Sequence, residues 1–143
     1  MTAAQKKILI VDDDTDFVEA VSFFLETHGY RVFKAHDGAE GLRLAKMERP
    51  DLILMDIMMN ERTEGFFTVQ EMRRSPELKS VPIFVLTALY SKVADFRISP
   101  DSAWLAHDEF FSKPVDMPRL VEKIRQRLGG PRQPAAAPKE AKS

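Results

Sequence analysis

Apolar positions along this chain follow two alternating periods. Short Val/Ile/Leu-rich runs recur at Lys7–Val11, Arg31–Ala35, Asp51–Met55 and Pro82–Leu86, with a weaker one at Glu109–Ser112. Strands that are apolar at successive positions suit a sheet covered on both faces, as parallel sheets are. Between these runs the spacing becomes helical. Thr15–His28 carries Phe17, Val18, Val21, Phe24 and Leu25 on one face, and Gly29 is placed to stop it. Asp37 with Glu40 three positions later has the form of a capping box, opening a helix through Met47 that Pro50 closes. Phe66–Arg74 is a further helix. Asp116–Leu128 is another, with an Asp cap, Pro118 in its first turn and the stripe Leu120, Ile124, Leu128. Strand followed by helix, repeated along the chain, predicts one α/β domain built on a parallel sheet. Ala88–Ala106 breaks the rhythm at Ser99-Pro100. Ser99 as cap and Pro100 as first helical residue predict a short fourth helix through Ala106, with 89–98 left as a long loop or a separate turn.

The last 15 residues, 129–143, contain three of the nine prolines and no large apolar side chain. Such a segment cannot repay its ordering entropy, so a disordered Pro/Ala/Lys-rich tail is expected beyond a folded unit at 1–128. It reads equally as a frayed end or as the stub of a linker. Over the whole 143 residues, 21 basic and 22 acidic side chains leave a net charge of −1. That balance lacks the basic excess of a generic nucleic-acid binder. The absence of cysteine excludes a disulfide scaffold, thiol catalysis and cysteine zinc sites. No apolar run is long enough for a signal-peptide core or a membrane span, so a soluble, cytoplasmic protein is expected.

In a doubly wound sheet, ligands bind outside the carboxyl ends of the strands. At those ends this chain has Asp12, Asp13 and Asp14 after the first strand, Asp56 after the third, Thr87 after the fourth and Lys113 after the fifth. Taken singly, an Asp there is an ordinary helix cap, a Thr belongs in strands, and a Lys is usually solvated. Taken together they bring carboxylates, a hydroxyl and an ammonium to one end of the sheet. Clustered carboxylates need a cation, and hard oxygen ligands select Mg²⁺ or a similar divalent ion. Asp14 fits the helix cap better than the metal set.

The stretches KILIVDDD, DLILMDIMM, VPIFVLTA and FFSKPVD, in this order, closely resemble the receiver domain of two-component response regulators over residues 6–128. The resemblance implies a flavodoxin-like fold with five parallel strands in order 2-1-3-4-5. It implies that Asp56 accepts a phosphoryl group from a histidine kinase or histidine phosphotransfer protein, with Thr87 and Lys113 holding the phosphoryl oxygens. It also implies that Asp12, Asp13, Asp56 and the backbone carbonyl of Met58 bind Mg²⁺ (or Mn²⁺). Thr87 and Phe110 become the switch residues. The output is expected on the face made by the fourth helix, fifth strand and fifth helix, toward a downstream protein or a second copy of the chain, without direct nucleic-acid or membrane contact. On this reading the domain is not an enzyme beyond its own phosphotransfer and dephosphorylation.

Three departures stand out. Asn60 replaces the family's usual Pro, and Gly65 comes one residue late, so NERTEG reads as a one-residue insertion. Lys113 follows Thr87 by 26 positions, a few more than the family pattern, so the fourth helix is expected to be short or remodelled. Phe110 stands where Tyr is common. Met58 and Leu89, two residues beyond Asp56 and Thr87, are apolar and would shield a phosphorylated Asp56 from water. The rival from another class is a phosphorylation-independent interaction module on the same fold. A flavin site is disfavoured by the aspartates after the first strand, and a haloacid-dehalogenase-type phosphatase by Met58. His28, His36 and His107 read as surface residues, and Trp104 as a core anchor or a partner contact.

Overall fold

A computed structural model describes residues 5–57, 64–87 and 109–129 of the chain. Five strands, β1 (Lys7–Val11), β2 (Arg31–Ala35), β3 (Leu52–Met55), β4 (Ile83–Thr87) and β5 (Glu109–Ser112), form one sheet in the order β2-β1-β3-β4-β5. Every neighbouring pair is parallel. The order reverses between β1 and β3, so the carboxyl ends of those two strands flank the crevice where such sheets bind ligands.

The apolar runs form strands because both faces of the sheet are covered. Leu9, Val11, Ile53, Met55, Ile83 and Val85 point into one core with Ala45, Val69 and Met72. Their alternating neighbours Ile8, Ile10, Leu52, Leu54, Phe84 and Leu86 point into the other, with Val18, Val21, Leu25, Leu120, Val121 and Ile124. Helices α2 (Gly38–Glu48) and α3 (Glu64–Arg74) therefore cover one face. Helices α1 (Thr15–Thr27) and α4 (Met117–Leu128) cover the other. Residues alternate in direction along a strand, so a run without polar interruption is what two cores require.

The helix ends follow the local chemistry with small shifts. Asp14 caps α1 by accepting the Phe17 N–H, and Gly29 at φ 93° turns the chain after it. Asp37 caps α2 by accepting the Glu40 N–H at 2.8 Å, while the Glu40 carboxylate reaches back one residue further than in a standard capping box, to the His36 N–H at 2.9 Å. Helix α2 ends on Arg49, at φ 51°, directly before Pro50. Helix α3 starts at Glu64 rather than at Phe66, because the Gly65 N–H is tied to the Ile57 carbonyl at 3.1 Å. Its other end is closed by Arg73, whose Nη1 donates to the carbonyls of Lys79 at 3.0 Å and Val81 at 2.7 Å on the way into β4. Asp116 caps α4, and Gly129 ends it at φ 82°. Asp51 lies just outside β3, its side chain accepting the Lys7 N–H at 2.8 Å.

The short fourth helix expected at 99–106, residues 60–63 of the NERTEG insertion, Met58, Leu89, Trp104, His107 and the tail from 130 onward lie outside the described residues. Helix α4 thus corresponds to the helix expected at Asp116–Leu128. His28 departs from a plain surface role. It is half-buried, with its ring 4.7 Å from Phe24 and its Nδ1 2.9 Å from the Phe24 carbonyl. His36 is exposed, as expected.

Candidate functional site: an acidic cluster at the strand ends

Asp12 and Asp56 sit where β1 and β3 end, and both are buried, at 1% and 4% exposure. Backbone pairing carries them there. The Asp12 N–H continues the ladder to Ala35, and the Asp56 N–H continues it to Val11, both at 3.0 Å. Asp13 is the more solvent-facing member. One carboxylate oxygen from each of Asp12, Asp13 and Asp56 lies within 4.8 Å of the others. Two buried carboxylates this close to a third are untenable without positive charge.

Lys113 supplies part of it. From the loop after β5, its Nζ donates to Asp12 Oδ2 at 2.7 Å and to Asp56 Oδ2 at 3.4 Å. Burial alone would lower the pKa of this ammonium, but the hydrogen bond to Asp12 and the charges of Asp56 and Asp12 outweigh it, holding the group above the ordinary lysine value. The Lys113-Pro114 peptide bond is cis. Three carboxylates against one ammonium still leave an excess of negative charge. The donor set is all oxygen, with one member open to solvent for water ligands, and so fits a hard divalent cation.

Thr87 ends β4 in register with Ser112, but its side chain lies outside the described residues, as does the Met58 carbonyl. Phe110 lies on β5 opposite Val85, half-buried against the core under α2 and α3. The structure therefore brings Asp12, Asp13, Asp56 and Lys113 together.

A profile of the response regulator receiver domain matches residues 8–125. The chain belongs to this family. Among curated relatives, the DNA-binding dual master transcriptional regulator RpaA of Synechocystis sp. is 36% identical over 122 residues, covering 85% of this chain and 48% of that protein. The chain thus spans about half the length of RpaA. Protein PilH of Pseudomonas aeruginosa is 32% identical over 127 residues, covering 87% of this chain and 98% of PilH. Among solved structures, the receiver domain of sensor histidine kinase PA1611 from P. aeruginosa superposes with a TM-score of 0.76 at 27% identity, covering 89% of this chain and all of that domain. That structure has a magnesium ion coordinated in its active-site cleft. Two-component signalling is the setting in which such domains work, and the sheet order is the one they share.

Three features escaped a reading by spacing. The Asp14 N–H donates to Asp12 Oδ1 at 2.9 Å, so the helix cap also braces the buried carboxylate. Phe17, which the helical pattern assigns to the apolar face of α1, places its ring under the Lys113 ammonium, 4.2 Å from ring centre to Nζ. Gly65 packs so closely on the segment after β3 that a Cβ there would collide with the Asp56 carbonyl oxygen and Ile57 Cα. The late position of Gly65 was the only sequence signal for the last of these. The first is an Asx turn between residues two apart, which any Asp can form locally, and the second had no sequence signal because it joins residues 96 positions apart through space.

Proposed function

We propose that the chain is a phosphorylation-controlled signalling switch whose acceptor is Asp56, charged by a histidine kinase or histidine phosphotransfer protein. The observation that carries this reading is the Lys113 ammonium held between the buried carboxylates of Asp12 and Asp56, at 2.7 and 3.4 Å. An aspartate oxygen attacking a phosphorus atom approaches a group that already bears negative charge on its equatorial oxygens, so that charge must be neutralised. Lys113 lies beside the reacting oxygen to do so. Asp12, Asp13 and Asp56, with the Met58 carbonyl, would hold Mg²⁺ or Mn²⁺, which supplies the remaining neutralisation when bound. In the transfer, the bond from phosphorus to the donor imidazole nitrogen breaks as the bond to an Asp56 carboxylate oxygen forms, leaving an acyl phosphate. Thr87 donates a hydrogen bond to it. Thr87 and Phe110 then pass the change to the face around β5 and α4, where a downstream protein or a second copy docks.

Intact mass after incubation with acetyl phosphate and Mg²⁺ tests the assignment. One phosphoryl group should be added, and none in Asp56→Asn or in the presence of EDTA. An unchanged adduct in either control would refute the reading. A phosphorylation-independent module would show no adduct in the parent.

A further inference from the structure

The Lys113 ammonium has three N–H donors, and a hydrogen-bond count over the described residues assigns two of them. Two face Asp12 and Asp56. On another side of the nitrogen is the ring of Phe17, 4.2 Å from Nζ to the ring centre, well inside cation–π range. Lys113 is only 17% exposed, so the ring acts on a largely desolvated charge. Phe17 is itself fixed by the same group of residues. Its N–H donates to Asp14 Oδ1 at 3.1 Å, and the Asp14 N–H donates to Asp12 Oδ1 at 2.9 Å. Asp12 Oδ2 in turn accepts from Lys113. Asp12, Asp14, Phe17 and Lys113 thus close a ring of contacts in which the first turn of α1 carries both the carboxylate brace and the aromatic seat. Phe17 is half-buried and packs against the core between α1, α4 and the sheet.

We propose that Phe17 is a positioning residue for Lys113, its π-face holding the ammonium where it meets the Asp56 carboxylate. The inference rests on the reading of Asp56 as phospho-acceptor, and it adds an aromatic requirement which carboxylate spacing does not contain. An aliphatic side chain of similar size would fill the core but would not attract the ammonium. Lys113 would then sample its long stem's other rotamers and meet the phosphoryl group less often.

The test separates ring electronics from packing. Phe17 is replaced in the full chain by mono-, di- and trifluorophenylalanine, which keep the shape and progressively weaken the ring's negative face, and by Leu and Tyr. The initial rate of Asp56 phosphorylation by acetyl phosphate at saturating Mg²⁺ should fall stepwise with each fluorine, about three- to tenfold over the series. Phe17→Leu should lie at the low end and Phe17→Tyr near the parent. The Lys113 Cε protons, shifted upfield by the ring in the parent, should move toward ordinary lysine positions along the same series. A flat rate across the fluorinated set, or a Phe17→Leu rate equal to the parent's, overturns the proposal. A parent that takes no phosphate refutes the function proposed for Asp56 instead, and the Lys113 resonances then decide on their own. Movement with fluorine count upholds the seat, and fixed resonances overturn it.

Discussion

Replacing Lys113 with Met keeps most of the stem and removes the charge between Asp12 and Asp56. At separations of 2.7 and 3.4 Å the gross attraction lost is about 6 and 5 kcal/mol for an effective dielectric constant near 20. The net loss is smaller, because the variant is spared the cost of desolvating the ammonium. Removing one partner of a buried ion pair typically costs roughly 3–5 kcal/mol, since the other charge is left buried without compensation. Urea unfolding without metal should therefore show Lys113→Met to be about 3–4 kcal/mol less stable than the parent at pH 7. Mg²⁺ should narrow the gap at pH 7, because the variant's carboxylates have no ammonium competing for them. A loss below 1 kcal/mol at pH 7 would refute the assignment of Lys113 as the counter-charge of a buried carboxylate pair.

Three further outcomes follow from the same structure. Gly65→Ala should cost about 1–3 kcal/mol and slow Asp56 phosphorylation, because its Cβ meets the Asp56 and Ile57 backbone, whereas Gly41→Ala, whose Cβ meets the Val11 side chain with Cγ2 at 2.7 Å, should be milder in urea unfolding and leave phosphorylation near the parent rate. Lys113 has a raised pKa in the folded protein, so its stabilisation is complete below the ordinary value of 10.5 and is lost as pH rises through the folded value. Parent and Lys113→Met stability curves should accordingly converge at alkaline pH, and curves that stay parallel would argue against it. Removing residues 130–143 should leave the melting temperature within about a degree or two, since that stretch has no large apolar side chain to dock, and a larger drop would place the tail within the folded unit.

Much of this architecture was legible in the chain itself, for reasons that are local. The apolar runs at 7–11 and 52–55 are strands because a residue's direction within a strand is set by its parity, and two covered faces demand apolar side chains of both parities. Asp14, Asp37 and Asp116 cap helices because a short carboxylate can reach the N–H groups two or three residues ahead whatever surrounds it. Asp12, Asp13, Asp56 and Lys113 could be placed at one end of the sheet because every strand of a parallel sheet points the same way. What the chain could not reveal depends on distances between elements. Lys113 and Asp12 are 101 residues apart, and that the ammonium sits closer to Asp12 than to Asp56 follows from strand register and the path of the loop after β5. Phe17 looked like one apolar residue among five on α1, and only the packing of α1 against the sheet put its ring beneath that ammonium. The two-residue earlier start of α3 likewise depended on a contact, the Gly65 N–H meeting the Ile57 carbonyl across the segment that follows Asp56. Periodicity and capping are properties of neighbours along the chain, whereas the tuning of a buried charge belongs to neighbours in space, and only the folded sheet brings those together.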